Sequence, residues 1–119
     1  EILNACVDGD PAAALTGCQR ALQSGTEARG LSDSLIQMLR DAVVVGLAPE
    51  LEGLVEGSEG EREELRDLVE RAGTQRLRRM FKLLVKEQQD LNWAPQPFAV
   101  LEMAVVRLAS PSRFVRALS

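Results

Sequence analysis

Apolar residues recur along this chain at spacings of three and four, and almost never in sustained alternation. That is the period of amphipathic helices, not of half-buried strands. Ile2, Leu3, Cys6 and Val7 share one side of a first helix over 1–8, which Gly9 ends. Asp10-Pro11 then makes a strong start signal, because Asp is a good N-cap and Pro at the first helical position gives up an N–H that has no intrahelical partner. Leu15, Cys18 and Leu22 follow at i, i+3 and i+7, and Ser24-Gly25 supplies the stop, so a second helix covers 11–24. After a loop with Gly25 and Gly30, Leu31, Leu35, Met38, Leu39, Ala42, Val43 and Leu47 form a wide stripe, broadened by Val44 and Val45. They predict a third helix over 31–48, terminated by Pro49.

Glu50 to Gly60 holds three glycines and many acids, with only Leu51, Leu54 and Val55 to bury. It reads as a loop with room for one short helical turn. Leu65, Leu68, Val69 and Ala72 predict a fourth helix over 61–72, and Gly73 separates it from a fifth over 74–90. The fifth helix turns Leu77, Met80, Phe81, Leu84 and Leu91 to one side, with basic residues around the rest. Two prolines stiffen the connector Asn92-Trp93-Ala94-Pro95-Gln96-Pro97. The last helix, 97–109, carries Phe98, Leu101, Val105 and Leu108 on one side and Val100, Met103 and Val106 on another. A helix apolar nearly all round is covered on several sides, by its own core or by a partner. Beyond Ser110-Pro111, Phe114, Val115 and Leu118 read as a short helix or a tail. The expected fold is all-α, a bundle of five to six short helices forming one domain over 1–119.

Composition narrows the function more than the fold. The chain has 119 residues, 45% hydrophobic and 3% aromatic, with no His, no Tyr and two Cys. Without His there is no imidazole base, no Ser-His or Cys-His pair and no His metal ligand. No phosphate-cradling glycine motif is present, no carboxylate pair stands out, and the acidic loop lacks calcium-loop spacing. No catalytic, cofactor-binding or metal-binding residue is therefore expected. Cys6 and Cys18 sit on apolar faces without a zinc-ligand pattern and read as small buried thiols, which fits a reducing cytosol. No apolar run approaches the roughly 20 residues that cross a bilayer. No signal peptide is visible, and a chain starting at Glu1 without Met reads as a piece of a longer protein.

The formal net charge of −4 hides two blocks of opposite sign. From Glu50 to Glu70 nine acids meet only Arg62 and Arg66, a local −7. From Arg71 to Lys86 the bases Arg71, Arg76, Arg78, Arg79, Lys82 and Lys86 meet no acid, a local +6. Either the two neighbouring helices pair acid against base, or the basic stretch faces a partner. Nucleic acid is a possible partner through Arg76, Arg79 and Lys86, but aromatic interleaving is poor and a sequence pI near 4.9 opposes a phosphate backbone at long range. Direct DNA contact is not expected. Trp93, the single Trp, has two readings: its ring plugs the end of the bundle, or it anchors a protein interface.

The run Leu91-Asn92-Trp93-Ala94-Pro95, then Leu101-Glu102-Met103 and Val106-Arg107-Leu108, resembles the collar region of the bacterial DNA polymerase III gamma/tau subunit. The N-terminal half agrees in order: Asp8-Gly9-Asp10 before Ala12-Ala13-Ala14-Leu15, the stop at Ser24-Gly25, and Leu39-Arg40-Asp41 before Val43-Val44-Val45. The acidic stretch Glu56-Gly57-Ser58-Glu59-Gly60 departs from the family pattern, as does the Trp at position 93. The resemblance implies an oligomerisation scaffold of the clamp loader, which holds gamma/tau copies with the delta and delta-prime subunits in a ring during DNA replication. It implies a location in the cytoplasm, at the replisome. It implies no enzymatic activity in this piece, although the full-length family member is an AAA+ ATPase. An unrelated helical adaptor and a small nucleic-acid-binding bundle are the competing readings. The two-sided last helix and the uncompensated bases nominate Arg78, Arg79, Lys82, Trp93, Phe98, Leu101, Met103 and Val105 as interface residues.

Overall fold

A computed structural model describes residues 1–110. The expected tail with Phe114, Val115 and Leu118 lies outside the described residues. The chain forms α1 (Ile2–Val7), α2 (Pro11–Gln23), α3 (Ala28–Leu47), a 3-10 turn (Pro49–Leu54), α4 (Glu59–Ala72), α5 (Thr74–Leu91) and α6 (Pro97–Ala109). The all-α expectation holds for the described residues, which contain no strand.

Local chemistry explains most boundaries. Asp10 Oδ1 accepts from the Ala13 N–H at 3.0 Å, so α2 is capped as its Asp-Pro start predicts. α4 starts two residues earlier than expected, at a capping box: Ser58 Oγ accepts from the Glu61 N–H, and Glu61 Oε1 accepts from the Ser58 N–H, both at 3.2 Å. α3 also starts early. Gly30 belongs to its first turn rather than to a loop, because Ala28 and Ser32 are buried and extend the inward stripe by one turn. Gly73 takes φ +81°, a left-handed conformation cheap only for glycine, which lets α5 follow α4 after one residue.

The core is built around α6. Leu101, Ala104, Val105, Leu108 and Ala109 are buried against α1, α2, α3 and α5. The most extensive helix pairing is α3 on α5, where Leu35, Leu39 and Ala42 meet the side of α5 carrying Leu77, Met80 and Leu84. Gly17 lets α1 lie close on α2, since a Cβ there would stand 2.7 Å from Ile2 Cγ1. Cys6 and Cys18 are fully buried, and burial pushes their thiols up to about 12 and about 11. Both cysteines are free.

Candidate protein–protein interface

α5 divides its residues cleanly between two faces. Leu77, Met80, Leu84 and Leu91 are buried, whereas Arg78, Arg79, Lys82 and Lys86 are exposed. Arg78, Lys82 and Lys86 recur every four residues, so they stack into one ridge, rising about 6 Å per step. Among the described residues none of these four cations lies within 4 Å of a carboxylate.

The other two bases of the run are used inside the chain. The Arg76 guanidinium donates to the carbonyls of Val7 and Cys6 at 3.0 and 2.9 Å, satisfying the open C-terminus of α1. Arg71 bridges Asp67 at 2.9 Å and Asp8 at 2.6 Å, and also donates to Asn4.

The acidic stretch is tied to itself in part, around Arg66 and the Ser58 capping box. Arg66 bridges Glu52 of the 3-10 turn and Glu59 of α4, each at 2.6 Å. The hydrogen bond from Arg66 holds the Glu52 carboxyl below its ordinary value. No ion pair joins α4 to the ridge of α5 among the described residues, so the reading in which the neighbouring helices neutralise each other does not describe this fold.

The nominated apolar residues separate by depth. Leu101 and Val105 are 1% and 0% exposed, so their contacts are made inside this chain and they offer no surface to a partner. The inward half of the α6 stripe is the core itself. Phe98 is half-buried at an apolar hollow shared with Leu22, Leu91 and Pro97. Met103 is 58% exposed on the outer side of α6. Trp93 is 86% exposed, so its ring plugs nothing; the connector points it outward.

Sequence reasoning missed an exposed leucine group at the end of α3 and in the 3-10 turn, Leu47, Leu51 and Leu54. The stripe spacing of Leu47, and the position of Leu51 and Leu54 among the few apolar residues of an acidic stretch, suggested burial. Only the tertiary arrangement, in which Val55 alone is fully buried here, reveals them. Among the described residues no cluster of three His, Cys, Asp or Glu is arranged to hold a metal ion, and no helix is long and apolar enough to cross a membrane.

The family described as DNA polymerase III subunits gamma and tau, domain III, matches residues 1–118. The chain belongs to this family. It is also similar to the DNA polymerase III subunit tau of Bacillus subtilis (strain 168), with 32% identity over 99 residues. That alignment covers 83% of this chain and 17% of the relative, so the chain spans about a sixth of the relative's length. No solved structure matches. Within this domain III fold, then, Arg78, Arg79, Lys82, Trp93 and Met103 are exposed, while Leu101 and Val105 are buried in the core.

Proposed function

We propose that this chain is an oligomerisation scaffold of the clamp loader, holding gamma/tau copies together with the delta and delta-prime subunits in a ring during DNA replication. Membership of the domain III family supplies the setting. The observation that carries the reading is Trp93, held 86% exposed on a proline-stiffened connector. A large ring left in water on a rigid mount suits an anchor whose pocket belongs to another molecule, and Trp is among the residues enriched at interface hot spots. Met103, exposed on the helix that follows, adds a second adaptable apolar contact. In this reading the domain's part is structural, and it works in the cytoplasm at the replisome.

Light scattering of the chain alone, then mixed with purified delta and delta-prime, tests the proposal. Assembly in the mixture is expected. Trp93→Ala should weaken it by about 2 kcal/mol or more, as for a hot spot, while leaving the melting temperature unchanged. Failure of the wild-type chain to join either subunit, or any further copy of itself, would sink the reading.

A further inference from the structure

The α5 ridge has a matching surface elsewhere on the same molecule. An open groove of about 1010 Å³ runs beside the outer side of α3. Ile36, Leu54 and Phe81 give it apolar surface, and Leu54 is 69% exposed there. Four carboxylates line it: Asp33 and Asp41 from α3, Glu56 from the segment before α4 and Glu61 from the first turn of α4. Its one cation, Arg40, is held by Asp41 at 2.8 Å. Glu61 belongs to the Ser58 capping box, and Asp33 is shared with Arg29 at 3.8 Å and with Gln88. Glu56 has no cation within 4 Å among the described residues. The groove thus combines an apolar patch with an excess of negative charge. The ridge is the converse, three unpaired cations with Val85 37% exposed beside them.

The two surfaces cannot meet within one molecule. Phe81 forms part of the groove, and the ridge lies about 100° further round the same helix, at 3.6 residues per turn. A rigid helix cannot turn its own outer face into a groove at its flank.

We propose that the Arg78–Lys82–Lys86 ridge of one copy seats in this groove of a second copy, Val85 toward Leu54 and the cations against the groove carboxylates. The inference rests on the scaffold reading and names the contact between copies. Opposite potentials at such a contact set register and association rate, and apolar contact at its centre supplies affinity.

Two charge-reversed chains test it by sedimentation at about 0.1 M salt, where exposed charges still interact over roughly 10 Å. Lys82→Glu with Lys86→Glu damages only the ridge; Asp33→Lys with Glu56→Lys damages only the groove. Each should raise the concentration at half-association about tenfold or more, because like charges then face each other. An equimolar mixture should restore association, since an intact groove on the first chain meets an intact ridge on the second. Circular dichroism melts establish that both variants fold. If one does not, Lys82→Gln with Lys86→Gln, or Leu54→Ser for the groove, replaces it with the same expected direction.

Self-association untouched by the reversals overturns this contact and leaves the scaffold reading standing. Weakening without rescue in the mixture overturns the groove as the receptor. A wild-type chain that stays monomeric alone overturns the contact between copies, and the delta and delta-prime mixture then decides the scaffold reading independently. Capture of single-stranded DNA by the wild-type chain at the same salt, lost in the ridge variant with self-association unchanged, would assign the ridge to nucleic acid instead.

Discussion

The stretches 50–70 and 71–86 are near mirror images along the chain, −7 against +6, but the fold treats them differently. Four of the nine acids are committed to local architecture, while Glu50, Glu56, Glu63, Glu64 and Glu70 are exposed with no cation within 4 Å among the described residues. Glu52 and Glu59 converge on Arg66, Glu61 closes the capping box, and Asp67 holds Arg71. The basic stretch commits only its leading members, Arg71 and Arg76, to the N-terminal helix, and leaves Arg78, Arg79, Lys82 and Lys86 in solvent. Charge density alone therefore does not say whether a run builds the domain or faces outward. What decides is whether opposite charges lie within reach after folding. The acids have a turn and a helix that fold back on one another. The four late bases lie on a helix whose buried side is taken mainly by α3 and α6.

The largest effect should come from the buried face of α5, where Leu84 is fully enclosed. Leu84→Ala is expected to cost about 2–5 kcal/mol in urea unfolding, the range for a buried leucine truncated in a core that only partly relaxes. An effect below 1 kcal/mol would mean that the α3–α5 contact is loose, and the sharp division of α5 into two faces would fail with it. Next comes the acidic side. Ser58→Ala removes the side-chain acceptor for the Glu61 N–H and should cost about 1 kcal/mol, read in the same unfolding experiment.

A pH titration of stability separates the two stretches further. Glu52 has a folded pKa below its ordinary value of 4.5, because Arg66 donates to its carboxylate. Its contribution is complete above the unfolded value and is lost as pH falls through the lower folded one. Thermal melts should therefore show a loss of stability beginning below about pH 4.5 that Glu52→Gln diminishes. Ridge variants leave the Glu52–Arg66 bridge untouched, so they should follow the wild-type curve. A Glu52→Gln curve identical to the wild type would mean that the Arg66 bridge contributes nothing to holding the acidic corner.

The helices were legible in the sequence because their signals are local. Asp10-Pro11, Pro49, Gly73 and the two connector prolines punctuate a period of three and four that only a helix satisfies. Boundaries failed where tertiary burial overrode a local signal. Gly30 looked like a loop residue, but the helix continues through it to bury Ala28. Of the nominated residues, the exposed and unpaired state of Arg78, Arg79 and Lys82 was legible, because a charge with no acid nearby in sequence had none in space. Leu101 and Val105 were misplaced for a definite reason: periodicity shows that a side chain is covered, never by which molecule. Leu54 and the groove carboxylates Asp33 and Glu56 were not legible as a unit at all, because they join segments more than twenty residues apart.

The smallest expected effect is also the sharpest test of the comparison. Lys82→Ala, and separately Arg78→Ala, should change unfolding stability by less than about 0.5 kcal/mol, the usual range for exposed positions away from caps and cores. A small stabilisation is the favoured sign. Each substitution places the best helix former in an exposed helical position and removes one of several like charges spaced four apart, which repel along the same face. That repulsion should fade with added salt, so the gain should be largest at low ionic strength and shrink as the Debye length shortens. A destabilisation above 1 kcal/mol would show that the ridge is held by contacts within the chain. The acidic and basic stretches would then both be architectural, and the contrast between them would collapse.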